Sequence, residues 1–239
     1  WPVVPARYHD RMTRRTLLAA ATLALVTFVA APRAQKAESD EAKRVAAATE
    51  VFSEIMSAED KSIPKSILGR AEAIAVIPGT KKGAFGIGGA RGRGIISMRG
   101  KDGWSSPAFL TLTGVSFGLQ IGGQESDLVL IVNNRKGVET LVKNQFKLGA
   151  DASVAAGPVG RDAQAATDLQ MRAEILSYSR ARGVFAGISV SGSTLRQDKD
   201  AQQRFYGKPL ESRQLLFEGM GGSPGPVGAW KAALQKFAK

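Results

Sequence analysis

The sequence predicts an α+β domain in which short helices flank a glycine-rich, mostly antiparallel sheet, either barrel-like or a sandwich, behind an export leader. Three observations predict this class. Apolar residues recur at helical spacing near both ends of segment 38–239, and short strand-like runs fill its middle. Glycine makes up 27 of 239 residues and concentrates between Gly79 and Gly122. Strand glycines of this kind indicate bulges, bends or close backbone approaches.

Residues 1–37 have the order of an export leader that begins at Met12. Arg14 and Arg15 precede a mostly apolar stretch, Leu17 to Ala31, and small residues follow it. The paired arginines also fit a twin-arginine signal, although Sec export stays open. The apolar stretch is shorter than the roughly 20 residues of a membrane span. We therefore expect an exported protein of the periplasm or cell envelope, peripherally associated with a membrane.

Helix signals open the remaining chain. Ser39 or Asp40 caps a helix that runs to Met56 and carries Val45 and Phe52 on one apolar face. A second, short helix begins at Pro64, and a strand-like run then ends at Pro78-Gly79.

Strand signals dominate the middle of the chain. The predicted strands are Ala84–Gly89, Gly92–Arg99, Ala108–Val115, Phe117–Ile121, Leu128–Val132, Lys147–Ala156, Ala173–Ser179 and Val184–Ser191. A hairpin turn is predicted at Gly100–Gly103, and helices at Gly137–Lys143 and Lys199–Phe205.

The chain end contains a Gly/Pro-rich linker followed by a basic amphipathic helix, Val227 to Lys239. Its Trp and Phe suit either a membrane interface or packing on the domain itself. We divide the chain into a leader at 1–37, one domain at 38–215, and the linker with its helix at 216–239.

The residue inventory excludes several kinds of chemistry. The chain has no Cys, and its single His, His9, lies in the leader. Zinc sites of Cys and His, thiol nucleophiles and Ser-His-Asp triads are therefore excluded from the domain. The G-x-S-x-G pattern at Gly114–Gly118 lacks a His base and a following helix. We expect no enzyme, no cofactor and no metal site.

Basic residues are the most informative feature. The formal net charge is +12, and cations crowd one segment opposed only by Glu72 and Asp102. The candidate lipid-binding residues in this segment are Lys61, Lys65, Lys81, Lys82, Arg91, Arg93, Arg99 and Lys101. Such a cluster suits anionic phospholipid headgroups, although a merely solvated basic surface has the same composition.

An ordered series of short motifs resembles the SYLF (Ysc84-like) domain family over about Ala42 to Gly207. The motifs include Ala73–Pro78, Gly94–Ser97, Trp104–Ala108, Gly118–Gly123, Asp127–Asn133, Leu148–Asp151, Ala155–Arg161, Tyr178–Gly187 and Phe205–Gly207. The resemblance implies an exported bacterial member that binds lipid. Eukaryotic members of the family prefer phosphoinositides, and some bind actin filaments.

The resemblance also implies where contact with a membrane occurs. The family's N-terminal amphipathic helix and nearby lysines correspond to Val45–Met56, Lys61, Lys65, Lys81 and Lys82, with Lys43 and Arg44 as additions. Acidic residues on this helix, among them Glu50 and Glu54, move the expected contact toward the Lys61–Lys101 segment.

The sequence therefore predicts a non-catalytic module that recognises anionic phospholipid through the basic segment and an amphipathic helix. The alternative is a structural envelope protein that binds a protein or glycan partner. Neither nucleic acid nor, for an exported bacterial protein, actin is an expected partner.

Overall fold

The computed structural model describes residues 38–58, 62–82, 89–115, 125–160, 172–181 and 184–238. The helices of these residues are α1 (Asp40–Ser57), α2 (Lys65–Leu68), α3 (Arg135–Leu141), α4 (Lys199–Tyr206), α5 (Ser212–Phe217) and α6 (Val227–Phe237). Their strands are β1 (Ala73–Lys82), β2 (Gly89–Gly100), β3 (Gly103–Trp104), β4 (Ala108–Val115), β5 (Ser126–Val132), β6 (Gln145–Lys147), β7 (Val154–Ala156), β8 (Ile175–Ala181), β9 (Val184–Gly187) and β10 (Thr194–Gln197).

The described strands form one curled, mostly antiparallel sheet. Its order is β6-β10-β4-β2-β1-β5-β8-β7, with β3 beside β2 and β9 beside β8. Only the short β7–β8 pair is parallel among these ladders. The predicted α+β class is confirmed, and of the two architectures left open, the half-barrel describes the sheet.

Both faces of the sheet are buried over much of their area. Along β1, Ile74 and Val76 belong to a cluster shared with α1, α2 and α6, while Ala75 and Ile77 belong to a second cluster on the opposite face. This alternation follows from the two-residue period of a strand. The second cluster includes side chains from α3 and α5 and from strands near both ends of the ladder, such as Phe146 and Ile175.

Helix α1 confirms the helix expected at the start of the domain. The Ser39 side chain accepts a hydrogen bond from the Ala42 amide at 3.1 Å, which satisfies one of the free donors of the first turn. Val45, Phe52 and Ile55 are buried, as their spacing predicts.

The central glycines allow close contact between neighbouring strands. A Cβ added to Gly94 of β2 would lie 2.3 Å from the Val76 carbonyl oxygen, and one added to Gly92 would lie 2.6 Å from Ile77. The expectation that these glycines mark close backbone approaches is confirmed at Gly94, whereas the atoms nearest to Gly92 belong to the side chains of Ile77 and Thr80.

Several elements differ from the sequence prediction. Strand β1 does not end at Pro78-Gly79 but continues to Lys82 through an irregular register after Ile77. The run predicted at Lys147–Ala156 is two strands, β6 and β7, separated by a turn in which Gly149 has φ +86°. Strand β10 and helix α5 were not predicted. Most of the strand expected at Ala84–Gly89, and all of Phe117–Ile121, lies outside the described residues.

Candidate functional site

Two of the predicted binding residues, Arg91 and Arg93, lie on β2 and are exposed to solvent. Arg91 lies opposite Thr113 of β4, Thr113 lies opposite Thr194 of β10, and Thr194 lies opposite Lys147 of β6. Directly opposed residues of antiparallel strands project from the same face of a sheet. Arg91 and Lys147 are therefore the two ends of one row across four strands.

A second row runs beside the first one. It contains Arg93 of β2, Thr111 of β4, Arg196 of β10 and Gln145 of β6. We call the two rows together the basic strand face, which consists of Arg91, Arg93, Thr111, Thr113, Gln145, Lys147, Thr194 and Arg196. All four cations of this face are exposed, and none of its eight residues is acidic.

Buried neighbours fix the orientation of the basic strand face. The residues between the two rows, Gly92, Leu112, Leu195 and Phe146, oppose one another in the same ladders. Leu112, Leu195 and Phe146 are buried in the second core cluster on the other side of the sheet. A change of register by one residue would exchange these apolar side chains with the cations, so core burial strongly specifies which side chains are exposed.

The geometry of the face suits an extended anionic surface. Neighbouring strands lie about 4.8 Å apart, so the row from Arg91 to Lys147 spans about 14 Å. Within the described residues, the four cations make no ion pair. Asp151 is a nearby carboxylate and accepts a hydrogen bond from the Lys147 amide at 2.6 Å. Lys81 and Lys82 extend the ladder through backbone pairing with Arg91 and Ala90.

Arg99 and Lys101, which were also predicted to bind lipid, lie at the other end of β2 from this face. Arg91 and Arg99 lie eight residues apart on β2, which is about 26 Å at roughly 3.3 Å per residue. Lys65 is exposed on α2, and Lys101 is exposed in the β2–β3 turn. Lys61 lies outside the described residues. The structure thus brings together only part of the predicted set.

Arg99 makes contacts within the protein rather than facing solvent freely. Its Nε donates to the Ala71 carbonyl oxygen and its Nη2 to the Leu68 carbonyl oxygen, both at 2.9 Å. The guanidinium lies 4.8 Å from the centroid of the Trp104 ring. These contacts connect β2 with the segment between α2 and β1.

The region from β4 to α6 matches a known protein-family model. The Ysc84 model, described as "Las17-binding protein actin regulator", matches residues 113–237, more than half of the chain. The chain belongs to the Ysc84 family. The match includes the parts of the basic strand face on β6 and β10 and ends at the last residue of α6. The division at residue 215 between a domain and a C-terminal segment stays a prediction.

Ysc84-family relatives extend the similarity toward the N-terminus. SH3 domain-containing YSC84-like protein 1 is 36% identical over 181 residues in Rattus norvegicus and 35% identical over 193 residues in Homo sapiens. LAS seventeen-binding protein 3 of Saccharomyces cerevisiae is 34% identical over 189 residues. These alignments cover 74%, 79% and 77% of this chain, respectively.

The chain spans about half the length of the curated mammalian relatives, 53% for the rat protein and 55% for the human one, and 41% of the yeast protein. The family description and the relatives' names indicate binding or adaptor proteins rather than enzymes.

Helix α1 of this Ysc84-family domain does not offer an apolar face to a membrane. Phe52 contacts Trp230 and Phe237 of α6 edge-on, with ring centroids 5.8 and 6.1 Å apart. Arg44 is buried, pairs with Asp198 at 2.9 Å and lies over the Phe109 ring. The amphipathic helix expected to share in membrane contact therefore has its apolar face in the core.

Helix α6 likewise packs on its own domain. Val227, Trp230 and Leu234 are fully buried. Of the two alternatives for this helix, the structure shows packing. Among the helices of the described residues, none has the length and apolarity needed to cross a membrane.

Sequence reasoning missed two cations of the basic strand face, Lys147 and Arg196. The alternation Thr194-Leu195-Arg196 was the available signal, because a buried Leu between two polar residues is the pattern of a half-exposed strand. Four residues were too few to identify β10 from this pattern alone.

Proposed function

We propose that this Ysc84-family domain is a non-catalytic binding module that docks on anionic phospholipid surfaces through the basic strand face. The observation that carries the proposal is the double row on β2, β4, β10 and β6, which has four exposed cations and no carboxylate. Each basic residue near an anionic membrane surface contributes about 1 kcal/mol of attraction. Four such residues on one rigid face suffice for reversible peripheral binding.

The hydroxyl and amide groups between the cations support the same function. Thr111, Thr113, Thr194 and Gln145 are hydrogen-bonding side chains of moderate length. Phosphate oxygens accept hydrogen bonds from hydroxyl and amide groups as well as from guanidinium groups. A face of this composition can contact several headgroups without inserting an apolar wedge.

A non-catalytic role also agrees with the side chains that the domain offers. Segment 38–239 contains neither Cys nor His. Across the described residues, no three His, Cys, Asp or Glu side chains form a group that could hold a metal ion. Catalysis by a thiol nucleophile, by a Ser–His pair or by a metal ion bound to such a group would need these side chains.

A protein partner is the second candidate, because the yeast relative is named for binding another protein, LAS seventeen. The basic strand face would serve an acidic protein surface by the same electrostatics. A structural envelope protein that uses this face for a protein or glycan partner belongs to this second candidate.

Location is part of the proposal. We place the protein outside the cytoplasm, in the periplasm or cell envelope, on the basis of the leader-like residues 12–37. Mass spectrometry of the chain recovered from a periplasmic fraction would show removal of that segment. Recovery of the intact chain from the cytoplasm would contradict the placement.

Co-sedimentation with vesicles tests the proposed ligand. The full chain is mixed with vesicles of phosphatidylcholine alone, or with phosphatidylglycerol added, in 0.1 M and 1 M salt. We expect at least about tenfold tighter binding to the anionic vesicles at the lower salt. This difference should disappear at 1 M salt, where the Debye length falls from about 10 Å to about 3 Å.

Residues 1–37 carry an apolar stretch and basic side chains such as Arg14 and Arg15, and they are present under all conditions. These basic side chains also favour anionic vesicles, so variants of the basic strand face are needed to assign the difference between the two vesicle types to that face. Equal binding to both types would contradict lipid docking through the basic strand face. A salt-sensitive partner captured without lipid would then favour the protein-binding candidate.

A further inference from the structure

A second region of positive charge lies in a pocket at the far end of β2 from the basic strand face. The pocket has a volume of about 770 Å³. The β2–β3 hairpin forms part of its lining, together with the end of α5 and the residues after it, Arg135 of α3 and Lys231 of α6. Small-molecule sites in proteins commonly have volumes of about 300–1,000 Å³. The pocket is therefore large enough for one small organic ligand.

Positive charges outnumber negative ones in the lining of the pocket. Arg99, Lys101, Arg135 and Lys231 are its cations, and Asp102 and Glu218 are its carboxylates. Arg99 is bonded to backbone carbonyl oxygens, and Arg135 lies 3.6 Å from Glu139. Within the described residues, the side chains of Lys101 and Lys231 make neither a hydrogen bond nor an ion pair. These two ammonium groups are available to an incoming anion.

Lys231 is held in an environment that disfavours its charge. Its side chain is half-buried, and this burial lowers the pKa of Lys231. Asp102 and Glu218 are both exposed, so water strongly screens their attraction for the ammonium group. A bound anion beside Lys231 would offset the loss of hydration and favour the charged form.

Apolar surface lies beside these cations. Trp104 is only 5% exposed and Leu216 is buried, yet both line the pocket, as does the half-buried Phe217. The Arg135 guanidinium lies 4.9 Å from the centroid of the Phe217 ring. An inorganic anion alone would leave this apolar lining without a contact.

We propose that this pocket binds a small amphiphilic anion, a phosphate or carboxylate group attached to an apolar body. Lys101 and Lys231 contact the anionic group, and the apolar lining formed by Trp104, Leu216 and Phe217 contacts the apolar body. The site is distinct from the basic strand face, because Arg93 and Arg99 lie six residues apart on β2, about 20 Å along a strand.

Calorimetric titration of the full chain tests the pocket with three probes. The probe 1-naphthyl phosphate carries both the anion and the apolar body, inorganic phosphate carries the anion alone, and 1-naphthol carries the body alone. We expect 1-naphthyl phosphate to bind at least about tenfold more tightly than either fragment, because it uses both parts of the lining. Equal affinity for 1-naphthol and 1-naphthyl phosphate would overturn the proposal.

Matched lysine variants locate the site. Lys231→Met keeps the apolar stem and removes the charge, and Lys101→Met does the same in the exposed hairpin turn. Each should weaken 1-naphthyl phosphate binding by about tenfold, as expected for the loss of one charge-assisted hydrogen bond. The control is Lys236→Met, which changes an exposed lysine of the same helix that does not line the pocket. Loss of affinity in the control equal to that in Lys231→Met would overturn the assignment.

Two further readouts separate binding from altered folding and from membrane docking. Nuclear magnetic resonance of the Lys231 ammonium group should show its pKa rising when 1-naphthyl phosphate is added, and an unchanged pKa would count against direct contact. Lys231→Met should keep the wild-type affinity for anionic vesicles. If that affinity fell together with the affinity for the soluble probe, the pocket would be a lipid-headgroup site and not a site for a free small anion.

Discussion

Tyr178 and Gly157 form a contact that leaves no space for even one additional carbon atom. A Cβ added to Gly157 would lie 2.0 Å from Cζ of Tyr178. The Tyr178 ring is fully buried and stacks on Phe185, with centroids 5.5 Å apart and planes inclined by 5°. The ring is fully buried and in contact with both Gly157 and Phe185, so it cannot move away without disturbing the core.

Replacement of Gly157 by Ala should destabilise the domain by about 2 kcal/mol or more, which is the range for overpacking a filled site. Urea denaturation followed by circular dichroism measures the change. Gly228→Ala is the matched control, because the added Cβ meets nothing within 4 Å apart from its chain neighbours and the backbone of α6. That change should raise stability by up to about 1 kcal/mol through helix propensity. Equal effects of the two substitutions would contradict the described packing at Gly157.

Two arginines of β2 show which roles of single residues the sequence can predict and which it cannot. Arg93 and Arg99 lie an even number of residues apart on β2, and each follows a residue without charge, Gly92 and Met98 respectively. The sequence pattern therefore gives no reason to expect different environments for them. Arg93 is exposed, whereas Arg99 donates hydrogen bonds to Leu68 and Ala71. The difference depends on carbonyl groups about thirty residues earlier in the chain. The local sequence does not indicate that these groups lie next to Arg99.

The attachment of α6 to the sheet depends on one buried polar contact among apolar ones. The Trp230 indole Nε1 donates a hydrogen bond to Ser97 Oγ at 2.8 Å, and both residues are fully buried. Removing one partner leaves the other buried without a hydrogen bond, and this loss costs about 1–3 kcal/mol. The contact thus fixes where on β2 the helix lies.

A double-mutant cycle with Trp230→Phe and Ser97→Ala measures this contact. Each single substitution should lower the free energy of unfolding by at least about 1 kcal/mol. The double variant should lose less than the sum of the two, with a coupling energy of about 1 kcal/mol. Additive losses, within about 0.3 kcal/mol, would mean that the hydrogen bond contributes nothing to holding α6 on the sheet.

Elements with local signals were predictable, and elements that depend on distant partners were not. Helix α1 has a capping Ser39 and an apolar stripe, and strand β4 has the predicted bounds Ala108–Val115. Strand β10 consists of four residues, and its partners in β4 and β6 lie 47 to 87 residues earlier in the chain. Its sequence carries little strand signal, because those partners supply the ladder that stabilises it.

The whole molecule explains why the candidate site was only half predicted. Composition and periodicity predicted the α+β class, and the resemblance of the short motifs to the SYLF family predicted a binding module. The order β6-β10-β4-β2 places Lys147 and Arg196 beside Arg91 and Arg93, although about a hundred residues separate Arg93 from Arg196. Arg99 lies near the opposite end of β2 and Lys101 in the turn that follows it, so both belong to the second charged region.

The domain has two positively charged regions, the basic strand face and the pocket, and their shapes suit different ligands. The basic strand face is broad, exposed and polar, whereas the pocket is concave and partly aromatic. In this account the face docks on an anionic membrane, and the pocket holds a small amphiphilic anion.

The most direct test of the account compares two double variants in anionic-vesicle co-sedimentation. Arg93→Gln with Arg196→Gln removes two cations from the basic strand face, and Lys208→Gln with Lys236→Gln removes the same charge from exposed positions outside it. The first variant should bind about thirtyfold more weakly than the wild-type chain, from about 1 kcal/mol per cation, and the second should stay close to wild type. Equal weakening in both variants would mean that net charge alone attracts the protein, and the basic strand face would not be its docking surface.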